Sequence, residues 1–214
     1  MSEPDRVGIS GLHIAGLILA GGASRRMGTP KALLQIGAET FIDHLVGLFD
    51  PVVSPVIVVL GHDSELVRHG MESRTPVTFA VNPEPERGML SSLQCGLREL
   101  PLETGAVIFS PVDYPNCQGT TVARIADEFR SQLRTHACDV VIPIYRGAKG
   151  HPVCVSRRVV DELLEMPFTG QARAVIRGHI GTTVFIEVND PGITTDVDTP
   201  EDYQSLMATA VALS

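Results

Sequence analysis

Residues 19–31 read Leu-Ala-Gly-Gly-Ala-Ser-Arg-Arg-Met-Gly-Thr-Pro-Lys. Gly21, Gly22 and Gly28 with Ser24 permit tight turns and let a ligand approach backbone N–H groups closely. Arg25, Arg26 and Lys31 then supply three cations within seven residues. In a chain of formal net charge -8 this is a local exception, and a triphosphate is the simplest ligand for it. The loop is not a Walker A sequence, because Gly28 is not followed by Lys-Ser or Lys-Thr. The G-x-G-x-x-G dinucleotide fingerprint is missing as well. The bland alternative is a surface loop with solvated cations.

Two groups of carboxylates complement these cations. Asp113 lies in Ser110-Pro111-Val112-Asp113-Tyr114-Pro115, between prolines that stiffen the loop, and is well placed for a divalent cation. Loop capping is its structural alternative. Asp196 and Asp198 are two residues apart, so on an extended segment they share a face. Asp198 also precedes a predicted helix, where N-capping competes as an explanation. Asn82-Pro83 and the run Gly88-Met89-Leu90-Ser91-Ser92-Leu93 place free N–H groups and hydroxyls at a helix start, suited to a base or a phosphate or to plain capping. His151 in Gly150-His151-Pro152-Val153 and Arg173 in Gly170-Gln171-Ala172-Arg173 complete the candidates.

These residues need a scaffold that brings loop ends together. Short, β-branched, apolar runs predict strands over 14–19, 56–60, 77–81, 106–109, 140–144, 152–155 and 184–188. Helical patterns lie between them, over 40–48, 90–100, 122–133, 159–164 and 200–213. The last opens with Thr199 as N-cap, Pro200 at the first helical position and Glu201 and Asp202 in the first turn. The alternation predicts a three-layer α/β/α fold with a mostly parallel sheet. Ligands in such sheets bind beyond the carboxyl ends of the strands, where the glycine-rich loop, Asn82 and Asp113 fall.

Composition narrows the function classes. The acidic balance makes a general binder of nucleic acid or anionic membrane a poor reading. Cys95, Cys117, Cys138 and Cys154 form no CxxC pair, so they read as small buried residues in a reducing compartment rather than a zinc site. The N-terminus is acidic and polar, without a signal peptide, and a cytoplasmic location is expected. Residues 1–11 read as a flexible lead-in and 12–214 as one domain.

Taken whole, the first loop resembles the signature L-A-G/A-G-x-S-x-R-M-G-x-x-K of the MobA-like nucleotidyltransferases, matching at Leu19, Ala20, Gly21, Gly22, Ser24, Arg26, Met27, Gly28 and Lys31. The Gly88–Leu93 element, the His151 element and the run Asp196-Val197-Asp198-Thr199-Pro200-Glu201-Asp202 are similar to further family motifs, the last two in their cytidylyl form. The resemblance implies a Rossmann-like nucleotidyltransferase fold. It implies that the first loop holds the NTP phosphates while Arg26 and Lys31 balance charge. It makes Asp113 the main Mg2+ ligand, with Asp198 before Asp196 as the second. It also implies that Asn82, Ser91 and Ser92 face the nucleotide, that His151 and Arg173 face the acceptor, and that a molybdoenzyme maturation partner exists. The acidic residue and one glycine expected before Arg173 are out of place, which leaves the acceptor open. Leu-Ala-Gly-Gly is the guanylyl-like form, whereas the later elements favour CTP and a molybdopterin acceptor. Transfer to a sugar phosphate by the same fold is a further alternative. From another class, a non-catalytic nucleotide-binding regulator would bind without turnover; the intact set of Lys31, Asp113 and Asp198 argues against it.

Overall fold

A computed structural model describes residues 12–22, 24, 26–73, 75–132 and 138–212. The lead-in over 1–11 and Arg25 lie outside the described residues. Ten strands are present among them: β1 (His13–Ala20), β2 (Gln35–Ile36), β3 (Glu39–Thr40), β4 (Val56–Leu60), β5 (Thr78–Val81), β6 (Thr104–Pro111), β7 (Val140–Tyr145), β8 (Ala148–Lys149), β9 (Val153–Ser156) and β10 (Thr183–Glu187). Seven α-helices separate them: α1 (Phe41–Phe49), α2 (Ser64–Gly70), α3 (Met89–Leu97), α4 (Gly119–Gln132), α5 (Arg157–Glu165), α6 (Ala172–Gly178) and α7 (Pro200–Ala212).

The large sheet runs β10-β7-β9-β6-β1-β4-β5, with β8 paired to β7. β1 is parallel to both β4 and β6, β4 to β5 and β7 to β10; β9 runs antiparallel between β6 and β7. The mostly parallel sheet is as the sequence predicts.

Alternation along β1 explains the layering. Ile14 and Ile18 point into one core with Phe41, Leu45 and Phe49 of α1 and Val122, Ile125 and Phe129 of α4. Ala15, Leu17 and Leu19 point into the other, with Leu90, Leu93 and Leu97 of α3 and Val159, Val160 and Leu163 of α5. Both faces of β1 are therefore covered, and the strand is apolar from Ile14 to Ala20.

The chain leaves β1 toward β4 and β5 on one side, then returns to place β6 on the other. The carboxyl ends of β1 and β6 consequently flank a topological switch point, the place where a parallel sheet opens a crevice. The glycine-rich loop and Asp113 follow those two strands.

Two helices escape the sequence pattern for a physical reason. α2 buries only Val67, and α6 is a seven-residue helix whose apolar positions Ala172, Val175 and Ile176 pack against the core while staying partly exposed, so neither is long enough for its period to stand out. The stripe read over 90–100 belongs to a helix that stops at Leu97, while Leu100 joins the core from outside it. The predicted cap of α7 is present: Thr199 Oγ1 accepts from the Asp202 N–H at 3.2 Å, and Asp202 Oδ2 accepts from the Thr199 N–H at 2.8 Å. This reciprocal pair satisfies two helix-start donors at once. No described helix is long and apolar enough to cross a membrane.

Candidate active site

At the carboxyl ends of β1 and β6 lies a cleft of about 220 Å³ walled by Leu19, Ala20, Gly21, Gly22, Ser24 and Lys31 on one side and Pro111, Val112 and Asp113 on the other. Pro85, Gly88, Met89 and Ser92 close it from the start of α3.

The first loop is held by its own polar groups. Ser24 adopts φ 44°, unusual for a residue with a Cβ. Its carbonyl accepts from the Met27 N–H at 2.9 Å, and its hydroxyl accepts from the Lys31 N–H at 2.9 Å. The Ser24 hydroxyl therefore shapes the loop while its residue lines the cleft. Gly21 is constrained from the other side: a Cβ there would sit 2.9 Å from Ser92 Oγ, and Gly61 packs so closely on the Gly21 carbonyl that a side chain at 61 is excluded.

Asn82, directly after β5, is buried and organises the start of α3. Its side-chain amide donates to Ser91 Oγ at 2.9 Å and Ser92 Oγ at 3.0 Å, and its Oδ1 accepts from the Glu84 N–H. Ser91 in turn donates to the Gly88 carbonyl at 2.8 Å. Of these three residues only Ser92 lines the cleft; Asn82 and Ser91 stand behind it.

The charged centre joins three distant parts of the chain. The Lys31 ammonium donates to Asp198 Oδ1 at 2.5 Å and lies 3.4 Å from Asp113 Oδ2. Arg26 Nη1 is 4.0 Å from Asp198 Oδ2 and largely exposed. A backbone bond locks the two aspartate segments together, since the Val197 N–H donates to the Asp113 carbonyl at 2.8 Å. Asp196 is exposed on the other side of Val197 and makes no contact with Lys31 or Asp113 comparable to that of Asp198.

One lysine acts differently on its two partners. Hydrogen bonding and charge from Lys31 hold the Asp198 carboxyl below the usual range. Burial pushes Asp113 up in spite of the same ammonium. Among the described residues, Asp113 Oδ1 is moreover buried with no hydrogen-bond partner. A buried carboxylate oxygen without a donor is costly, and such exceptions cluster where a ligand completes them.

His151 packs its ring 4.8 Å from Tyr114 and 6.1 Å from Phe109, centroid to centroid, and its backbone N–H donates to the Ile193 carbonyl at 2.9 Å. Burial pushes its pKa down to about 4, so it is neutral near pH 7. The Tyr114 hydroxyl is raised by burial and then by Asp196, Asp113 and Asp198. Arg173 is exposed on the first turn of α6 and is not among the residues that wall the cleft. The cysteines behave as small core residues: Cys117, Cys138 and Cys154 are buried, and burial pushes Cys117 up to about 12.

The sequence reading passed over Asp190. It is 1% exposed, and its carboxylate accepts from the Gln118 N–H at 2.8 Å, the Thr121 hydroxyl at 2.6 Å and the Gly192 N–H at 3.0 Å. It thereby ties the start of α4 to the segment that leads to Asp198. The signal was available, since Asp190 follows a strand and precedes a proline as Asp113 does.

Known proteins resemble this chain over most of its length. The model of the MobA-like NTP transferase domain matches residues 16–184. A probable molybdenum cofactor guanylyltransferase of Bacillus cytotoxicus is 33% identical over 138 residues, which span 64% of each chain. The molybdenum cofactor cytidylyltransferase of Escherichia coli K12 is 24% identical over 187 residues, 87% of this chain and 92% of that protein. The crystal structure of a homologue of Mycobacterium tuberculosis Rv0371c, from Mycobacterium sp. strain JC1, superposes with a TM-score of 0.78 at 26% identity, covering 94% of this chain and 98% of that one.

Proposed function

The chain belongs to the MobA-like NTP transferase family, a family of nucleotidyltransferases, and from that premise we propose that it transfers an NMP unit from an NTP to a small phosphorylated acceptor with release of pyrophosphate. CTP and a molybdopterin acceptor are the preferred pair. The observation that carries the reading is the meeting of Lys31, Asp113 and Asp198 beside a glycine-walled cleft, with Asp113 Oδ1 left without a partner among the described residues.

The residues fit a hard divalent cation. Among the described residues no group of three or more His, Cys, Asp or Glu side chains is gathered as a full protein cage. Mg2+ needs less, because it keeps waters and takes substrate phosphates beside one or two carboxylates. Asp113 and Asp198 would be that pair, and Asp113 Oδ1 is an acceptor that no described donor fills. When bound, the ion supplies charge neutralisation for the phosphates.

The protein's part is positioning and electrostatics. Backbone N–H groups of the first loop and the Lys31 ammonium receive the triphosphate, with Arg26 at the open edge. An acceptor phosphate oxygen attacks the α-phosphorus in line; the new P–O bond forms as the bond to pyrophosphate breaks, and pyrophosphate carries away the electron pair. His151 is neutral and enclosed, so it shapes the wall through Tyr114 and donates no charge.

Transfer of GMP from GTP is the second reading. It is favoured by the Gly21-Gly22 pair and by the guanylyltransferase relative at 33% identity. The protein incubated with each NTP, Mg2+ and candidate acceptors decides between them through pyrophosphate release. Turnover is expected to vanish in EDTA. GTP binding at least tenfold tighter than CTP, about 1.4 kcal/mol, removes the cytidylyl assignment, and full turnover in EDTA removes the metal scheme.

A further inference from the structure

We infer that Lys31 is the resident counter-ion of the Asp113–Asp198 pair: its ammonium stands between the two carboxylates in the free protein, excludes a divalent ion from them, and leaves only when a nucleotide's phosphates draw it into the cleft. The inference rests on the reading that Asp113 and Asp198 hold that ion.

The two carboxylates cannot simply move apart. The Val197 N–H is bonded to the Asp113 carbonyl, and the segment around it is anchored further by Asp190 to Gln118 and Thr121. Two like charges fixed side by side and partly desolvated need a cation in every state of the protein. In the free protein Lys31 supplies it, with contacts to both partners and a side chain only 14% exposed.

Lys31 is built for such an exchange. Its backbone is fixed, because its N–H is bonded to Ser24 Oγ and the next residue, Ala32, is buried. Its side chain is a flexible four-carbon stem ending in a compact charge. The residue lines the same cleft as Gly21, Gly22 and Ser24, so a phosphate seated on that loop lies within the reach of its stem. An ammonium donates only and takes the same carboxylate lone pairs that an ion would take. One ammonium also leaves the pair with net charge -1, which Arg26, 4.0 Å from Asp198 and largely exposed, offsets only from the solvent edge, so a divalent ion gains from replacing it once the ammonium has another anion to serve. Nucleotide and ion should therefore each raise the affinity for the other, by the same factor.

The test is Mn2+ binding to nucleotide-free protein, read from the EPR signal of free Mn2+, in wild type, Lys31→Met, Lys31→Arg, Asp113→Asn and the Lys31→Met/Asp113→Asn double variant. Lys31→Met is expected to bind Mn2+ at least tenfold tighter than wild type, Lys31→Arg to stay as weak as wild type, and the double variant to lose the gain. In parallel, Lys31→Met should melt lower than wild type without metal and show a larger Mn2+-induced rise in Tm. Equal or weaker Mn2+ binding by Lys31→Met, still lost on Asp113→Asn, overturns the exchange while leaving the ion site standing. Absence of Mn2+ binding in every variant also overturns it, because Lys31 is then not what keeps the ion out. Mn2+ binding that survives Asp113→Asn unchanged shows instead that the ion site itself is misassigned.

Discussion

Asp113 and Asp190 occupy matching places and do opposite things. Each follows an apolar strand at the same end of the sheet, β6 for one and β10 for the other, and each is followed closely by a proline. Asp190 is the more buried of the two, yet both its oxygens are met by protein donors from Gln118, Thr121 and Gly192. Asp113 has one oxygen 3.4 Å from Lys31 and the other buried with no partner among the described residues. Burial alone therefore does not separate a site carboxylate from a strut; unsatisfied acceptor capacity does. A saturated carboxylate has nothing left for a ligand, and an unsaturated one is tolerated only where something else completes it.

Three perturbations sharpen the contrast, in falling order of effect. Lys31→Ala, on the Asp113 side, should lower kcat by roughly 10²–10³-fold, the usual cost of removing one preorganised charge at a developing anion. Unchanged kcat would make Lys31 a structural cation only. Asp190→Ala, on the other side, should cost about 3 kcal/mol of stability, because it strands two backbone N–H groups and a hydroxyl. Denaturant unfolding measures this, and a wild-type midpoint would show that the three contacts carry no stability.

The smallest effect concerns His151, which packs against Tyr114 beside Asp113. Its pKa of about 4 in the fold lies below the ordinary histidine value, so the unfolded chain binds the extra proton between roughly pH 4 and 6.5. The stability owed to neutral His151 is complete above that window and falls as pH drops through it, by about 2 kcal/mol at pH 5. His151→Phe keeps an aromatic wall and removes the titration. The difference between the unfolding free energies of variant and wild type should therefore shift by about that amount between pH 7 and pH 5. A pH-independent difference would mean that His151 is solvated and not enclosed.

How much of this was legible in the sequence depended on the kind of signal. The strands and the long helices announce themselves by apolar period, and the position of the cleft follows from strands 14–19 and 106–109 preceding the glycine-rich loop and Asp113. Lys31 and Asp113 were nameable because charge stood out in a glycine-rich or apolar setting, and Asp198 because it is two residues from Asp196 in a run that resembles a family motif. That Asp113 and Asp198 come together was implied only by the family resemblance, and the place of Lys31 between them was not legible: the meeting depends on the Val197–Asp113 backbone bond across the fold. The same holds for Ser91 and Asn82, whose polar groups are satisfied by one another behind the cleft wall, so that only Ser92 meets the space. α6 was invisible because seven residues are too few for its partly buried Ala172, Val175 and Ile176 to show a period, and Arg173 on it is not among the residues that wall the cleft. Asp190 carried the same local signal as Asp113, and only its partners, 69 and 72 residues away, reveal what it does.

The most direct test of the claim that Asp113 is the carboxylate kept for a ligand is Asp113→Asn, which preserves size and removes charge. Pyrophosphate release should be followed against Mg2+ concentration, and Tm measured without ligand. Burial disfavours the Asp113 charge in the fold, so the stability this residue contributes is present at low pH and lost as pH rises through its raised pKa. At neutral pH the variant should then melt at the same temperature as wild type or above it, while turnover falls by at least about 100-fold and needs more Mg2+. Near-normal turnover at the same Mg2+ concentration, or a lowered Tm with activity intact, would contradict the account and make Asp113 a strut like Asp190.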